Sequence, residues 1–196
     1  MTRVVLASGN AGKLREFAAM LADAGIELVP QDAYDVAPAI ESAPTFVENA
    51  LAKARNAARH TGLPAIADDS GLEVDVLDGA PGVHSARYAG ANADDMANNR
   101  KLLETLADVP AERRGARFRA VLVYLRHPED PAPLIAEGTW SGSIGTRLRG
   151  DAGFGYDPLF ELGDGRTAAE LPAEEKNLLS HRGQALAALR RRLDAA

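Results

Sequence analysis

Asp68 and Asp69 follow the short apolar run 64–67 and lead into Ser70 and Gly71. Two adjacent carboxylates at the end of a buried strand are costly unless something cationic sits between them. Their oxygens are hard donors that suit Mg²⁺. Such a site can hold the metal while one carboxylate takes a proton from an attacking water. Asp, Ser and Gly are also turn formers, so the tetrapeptide alone reads equally as a solvated turn. Glu41 stands in a loop otherwise poor in charge and could reach over as a second metal ligand. A lone loop glutamate is more often simply solvated.

Ser8, Gly9, Asn10, Ala11, Gly12 and Lys13 form a second group, between an apolar run and a helical pattern. A helix N-terminus presents unpaired N–H groups and partial positive charge. Glycines let that backbone approach a phosphate, and Lys13 adds a full charge. This is not a Walker A loop: the glycines are too close together, and Leu14 stands where Ser or Thr would bind Mg²⁺. The alternative is a polar turn with a surface lysine.

Gly153, Phe154, Gly155, Tyr156, Asp157 and Pro158 form a third group. An aromatic ring between two glycines can lie open for a flat ligand, and base–aromatic stacking tolerates any base. Asp157 could then read ring N–H groups; otherwise Phe154 tucks into the core. A fourth group is Glu175 and Lys176 with Ser180, His181 and Arg182. Lys176 and Arg182 can only donate hydrogen bonds. Facing a purine, they favour a 6-oxo acceptor over a 6-amino donor, and fixed donors reject a mismatch strongly. The competing reading is a charged helix start with His181 near its cap.

These groups need positioning elements. The β-branched and aliphatic run 3–7 predicts a buried strand. Leu14, Phe17, Ala18 and Leu21 recur at helical spacing, and Gly25 closes that helix. Ile26 to Val29 predicts a strand, and 30–44 a loop. Thr45 to His60 is the clearest helix, with Thr45 and Glu48 as a capping box and Gly62 as its stop. Asn49 and Lys53 lie one turn apart on it and are second-tier candidates for the site. Residues 64–67 predict a short strand, 78–93 a loop and 94–107 a helix. The runs 117–126 and 134–144 predict a long hairpin, so the sheet is mixed. Residues 184–193 form a terminal helix whose Arg190, Arg191 and Arg192 complement its dipole. The fold class expected is α/β with a mixed sheet and flanking helices, as one domain or as one domain with two lobes around a cleft. No linker divides the 196 residues.

Composition narrows the chemistry. The chain has no cysteine, which excludes disulfides and thiolate metal sites. The other histidines, His60, His84 and His127, show no zinc spacing. There is no nucleophile elbow and no dinucleotide fingerprint. A net charge of −6 argues against a nucleic-acid partner, whose phosphates are neutralised by Lys and Arg. The N-terminal apolar run is too short for a signal peptide, and no run is long enough to span a membrane. A cytoplasmic protein with no membrane partner is expected.

Six segments, Ser8 to Lys13, Thr45 to Ala54, Ala67 to Gly71, Gly82 to Tyr88, Gly153 to Pro158 and Ser180 to Arg182, occur in an order that resembles the non-canonical purine nucleoside triphosphate pyrophosphatases, the inosine triphosphatase or Ham1-like family. The resemblance runs from the first strand to the last helix. It implies hydrolysis of inosine, deoxyinosine and xanthosine triphosphates to the monophosphate and pyrophosphate, clearing deaminated purines from the nucleotide pool. It implies an elongated mixed α/β sheet flanked by helices with two lobes around a central nucleotide-binding cleft, Mg²⁺ as cofactor and a homodimer. By position, Ser8 to Lys13 would cradle the substrate, with Lys13 on phosphate. Asp69 would be the general base and a metal ligand, and Glu41 would complete the metal site. Ser70 would touch the nucleotide. Phe154, Gly155, Tyr156 and Asp157 would hold the base, and Lys176, His181 and Arg182 would finish its pocket. Ser8 stands where the family often has threonine; both offer a hydroxyl.

Three competing readings keep parts of this pattern. A nucleotide sensor would need Lys13 and Phe154 but not a base at Asp69. An aspartyl-phosphate phosphatase would need Asp-x-Asp after the first strand, where this chain has Ser8-Gly9-Asn10. A pyrophosphatase of related fold would prefer modified pyrimidines.

Overall fold

The computed structural model describes residues 2–21 and 25–195. The first strand, β1 (Thr2–Leu6), buries Val4, Val5 and Leu6 completely, as its unbroken aliphatic run requires. It pairs in parallel with β2 (Ile26–Pro30) on one side and with β3 (Ala65–Val74) on the other. Helix α1 (Ala11–Leu21) connects β1 to β2, as a parallel pair needs. Helix α2 (Phe46–Thr61) leads into β3. After α3 (Asp95–Thr105) come β4 (Gly115–Leu125), β5 (Leu134–Ile144) and the two-residue β6 (Phe160–Glu161). The chain ends in α4 (Ala173–Leu179) and α5 (His181–Asp194). Strand order is β2-β1-β3-β4-β5-β6, and β6 pairs antiparallel to β5. The fold is therefore α/β with a mixed sheet, as expected.

Two compact units divide the chain: residues 1–69, 120–138 and 182–196 in the first, and 70–119 and 139–181 in the second. The first unit is packed around Val4, Leu6, Phe17, Leu21, Ile66, Leu122 and Leu186. The second is packed around Leu72, Leu102, Phe118, Trp140, Tyr156 and Phe160. There the Phe118 and Trp140 rings lie 4.5 and 5.4 Å from that of Phe160.

Helix α2 begins where its cap predicts. Thr45 is extended and its hydroxyl accepts from Glu48 N–H at 3.3 Å. The Glu48 carboxylate turns to the Thr45 hydroxyl at 2.5 Å rather than to the backbone of the cap residue. Gly62 ends the helix at φ 67°, a left-handed conformation that suits glycine. Residues 22–24, within the stretch read as leading to Gly25, lie outside the described residues.

Three expectations are corrected. Asp68, Asp69, Ser70 and Gly71 do not follow a strand; they are the middle of β3. Their turn propensity loses to tertiary context, because cationic partners meet the carboxylates within the sheet. Helix α4 was not expected at all. Helix α5 starts three residues before Gln184, so His181 is its first residue.

Candidate active site

In the first unit, β1, α1, α2, β3 and α5 bring three cations to two adjacent carboxylates. Lys13 Nζ lies 2.5 Å from Asp68 Oδ2, and Arg182 Nε lies 3.5 Å from the same oxygen. Arg182 also donates to Glu16 Oε2 at 2.6 Å. Lys53, from α2, donates to Asp69 Oδ1 at 2.7 Å and to Glu41 Oε2 at 3.1 Å. The remaining oxygen of Asp69, Oδ2, is buried and meets no hydrogen-bond donor among the described residues.

The two aspartates differ in charge environment. Burial acts against the charge on Asp68, but Lys13 and Arg182 outweigh it and hold its carboxyl far below the usual carboxylate range. Burial pushes the Asp69 carboxyl up; Lys53 opposes this, while the Glu41 charge adds to it. Burial also opposes charge on Glu41, but Lys53 outweighs it and keeps Glu41 below its ordinary value. Burial pulls Lys53 down, and Asp69 and Glu41 more than compensate. Burial pulls Lys13 below its ordinary value in spite of Asp68. Neighbouring carboxyls pushed in opposite directions suit different tasks. Asp68 is a fixed counter-ion, whereas the charge on Asp69 is less strongly held.

The turn before α1 is held by its own side chains. Asn10 Oδ1 accepts from Gly12 N–H at 2.8 Å and Lys13 N–H at 3.1 Å, and Ser8 Oγ accepts from Asn10 N–H at 3.1 Å. The N–H groups expected to meet phosphate at Gly12 and Lys13 thus already have an acceptor. Lys13 Nζ has further donors beyond its contact with Asp68. Gly9 adjoins the Asp32 carboxylate.

In the second unit, the loop of residues 153–157 is tied together by Asp157. Its Oδ2 accepts from Phe154 N–H at 2.8 Å and from Lys176 Nζ at 2.7 Å. Lys176 Nζ sits 5.1 Å from the Phe154 ring centroid, within cation–π range. Gly153, at φ +81°, has no room for a side chain, which would run into that carboxylate. Phe154 is half-buried, whereas Tyr156 is buried with its hydroxyl donating to Ser85 O at 2.8 Å. His181 is buried and stacks on Phe118 with centroids 4.8 Å apart. Ser70, on β3, is half-buried.

The sequence profile of the Ham1 family matches residues 4–192. The chain belongs to the Ham1 family. It is 60% identical over 187 residues to a protein of Escherichia coli O157:H7 named dITP/XTP pyrophosphatase, covering 95% of each chain. It is 60% identical over 194 residues to a protein of the same name from Methylococcus capsulatus, covering 98% of this chain and 96% of that one. Its fold superposes on the solved Ham1 protein of Coxiella burnetii with a TM-score of 0.92 at 50% identity, covering 100% of both.

Within this Ham1-family chain, the structure assembles Lys13, Asp68, Asp69, Glu41, Lys53 and Arg182 in one unit. It gathers Phe154, Gly155, Asp157 and Lys176 in the other. Sequence reasoning undervalued Lys53, because a helical lysine ordinarily faces solvent. The discriminating signal was its place one turn after Asn49. Asn49 is buried and exchanges hydrogen bonds with Ala43 at 3.0 and 3.2 Å, pinning the loop that carries Glu41. Arg182, expected beside a base, is engaged by Glu16 and Asp68.

No group of three or more His, Cys, Asp or Glu able to hold a metal exists among the described residues. Mg²⁺ does not need one: it keeps several waters and uses one or two carboxylates plus substrate phosphates. Glu41 and Asp69, close enough to shift each other's carboxyl, fit that demand, and the buried Asp69 Oδ2 is a suitable oxygen.

Proposed function

We propose that this chain is a Mg²⁺-dependent pyrophosphatase that hydrolyses inosine, deoxyinosine and xanthosine triphosphates to the monophosphate and pyrophosphate. The observation that carries the reading is Asp69: a buried carboxylate, raised above its ordinary pKa, with one oxygen on Lys53 and the other meeting no donor among the described residues. The relatives' name, dITP/XTP pyrophosphatase, supplies the substrate class.

In this mechanism Asp69 takes a proton from a water as the water oxygen bonds to the α-phosphorus. The bond from that phosphorus to the bridging oxygen breaks, and pyrophosphate leaves with the electron pair. Lys13, whose Nζ is held by Asp68, offers its remaining N–H donors to the charge developing on phosphate. Lys53 keeps Asp69 and Glu41 oriented. When bound, Mg²⁺ would be held by Glu41 and Asp69 and would neutralise charge on the phosphate oxygens. Phe154 is read as the stacking surface for the base. Lys176, oriented by Asp157, is the donor that favours a 6-oxo group. Tyr156 and His181 act by supporting the loop from the core. The whole chain is read as one pyrophosphatase domain acting as a cytoplasmic homodimer, and sedimentation at assay concentration reads out the dimer. Among the described residues, no helix is long and apolar enough to cross a membrane.

The test is pyrophosphate release from inosine, adenosine and guanosine triphosphates at equal concentration, with Mg²⁺ and with EDTA. Preference for inosine triphosphate, abolished by EDTA, is the expected result. Equal turnover of all three removes the sanitising role. Asp69→Asn is expected to keep the wild-type melting curve and to lose at least ~10²-fold in kcat. A wild-type kcat in that variant removes Asp69 as the base.

A further inference from the structure

We propose that α3 carries a latch, made by Asp95 and Asn99, that fixes the loop of residues 153–157 and thereby sets the enzyme's preference among bases. The inference rests on the reading of that loop as the base-holding element.

Gly155 is gripped at both of its backbone polar groups by one helix. Its N–H donates to Asp95 Oδ2 at 2.7 Å. Its carbonyl accepts from Asn99 Nδ2 at 2.8 Å. Asp95 and Asn99 are four residues apart and so project from one face of α3. The same Asn99 amide donates to Asp95 O at 2.8 Å, which joins the two halves of the latch. Asn99 is 2% exposed. Both acceptors of its side chain are carbonyl oxygens, so an NH₂ group is required there. The isosteric aspartate has no donor to offer and would set a carboxylate against two carbonyls.

The adjacent residue makes the complementary grip. Asn98 Oδ1 accepts from Ala89 N–H at 2.8 Å, and its Nδ2 donates to Ala86 O at 3.2 Å. That segment includes Ser85, whose carbonyl accepts the Tyr156 hydroxyl at 2.8 Å. Helix α3 therefore fixes residues 155 and 156 by two routes, one direct and one through residues 85–89.

Phe154 lies between Gly153, which tolerates no side chain, and the latched Gly155. Its own N–H is held by Asp157, which also holds Lys176. Releasing Gly155 frees the peptide on the C-terminal side of the Phe154 ring. The same movement loosens Asp157, and with it the Lys176 donor. Asp95 and Asn99 are thus positioning residues, acting on base choice through Phe154 and Lys176.

The test compares the full-length wild type with Asn99→Asp, Asp95→Ala and Asp95→Asn. It measures kcat and KM for inosine and adenosine triphosphates, and melting temperatures. Asn99→Asp is expected to lower the ratio of kcat/KM for inosine over adenosine triphosphate by about three- to tenfold, chiefly through a higher KM for inosine triphosphate. Asp95→Ala moves the ratio the same way. Asp95→Asn, whose amide oxygen still accepts from Gly155 N–H, keeps the wild-type ratio. An equal loss on both substrates, following the melting temperature, means a purely structural role and overturns the latch. If Asn99→Asp does not fold, the Asp95 pair decides: an unchanged ratio in Asp95→Ala overturns the proposal. A wild type with no preference for inosine triphosphate overturns the base-pocket reading itself, and the latch with it, before any variant is read. A wild type with that preference and variants without effect sinks the latch alone.

Discussion

Asp68 and Asp69 share a backbone but not a task. Asp68 is wholly enclosed by Lys13 and Arg182, while Asp69 is raised and meets a single lysine on one oxygen. Removing the Asp68 charge leaves two mostly buried cations without their shared counter-ion. Asp68→Asn is therefore expected to cost about 3 kcal/mol, read from the urea midpoint at neutral pH. Folding lowers the pKa of Asp68, so its contribution is complete above the unfolded value of about 4 and is lost as pH falls towards the folded value. Wild-type stability should decline on acidification below about pH 4, and Asp68→Asn should flatten that limb. Part of this was legible: Asp69 and Lys13 stand out by type and spacing, whereas Glu41 by itself reads as a solvated loop residue. Lys53 and Arg182 were harder to place, because a sequence does not say which cation reaches which carboxylate. Asp95 and Asn99 gave no signal, since Asp and Asn in the first turns of a helix look like ordinary solvated residues.

Elements were legible in proportion to how local their causes are. The start of α2 follows from Thr45 and Glu48, two residues within one four-residue stretch that carries its own instruction. Thr45→Ala is expected to lower stability by about 1 kcal/mol and leave kcat/KM for inosine triphosphate unchanged, as calorimetry and the pyrophosphate assay would show. The opposite case is β3. Asp68-Asp69-Ser70-Gly71 has turn composition, yet the segment is buried strand because Lys13, Lys53 and Arg182 come from α1, α2 and α5 to meet it. No window of neighbouring residues contains that information. Helix α4 was missed because it has seven residues and exposes Leu178 and Leu179, so it lacks an apolar stripe to read.

At the scale of the molecule, each unit is assembled from separated stretches of chain. The boundaries between them fall at 69/70, 119/120, 138/139 and 181/182. The first unit's core joins Val4, Leu6 and Phe17 to Ala185, Leu186 and Leu189 from α5. Leu186→Ala is expected to cost about 2–5 kcal/mol in urea unfolding, a helix contact that stabilises β1. The order of the mixed sheet was only partly legible: β1 beside β2 follows from proximity, whereas β3 beside β1 depends on packing across the whole fold. The cluster around Asp68 has a related dependence, since Arg182 belongs to α5 and Lys13 to α1. On a translating ribosome these residues emerge 169 positions apart, counting from 13 to 182. A nascent chain carries Lys13 and Asp68 long before the helix that brings Arg182 to Asp68 has been synthesised. A message broken ahead of the Arg182 codon is therefore expected to yield a polypeptide in which Asp68 has Lys13 but lacks its second cation.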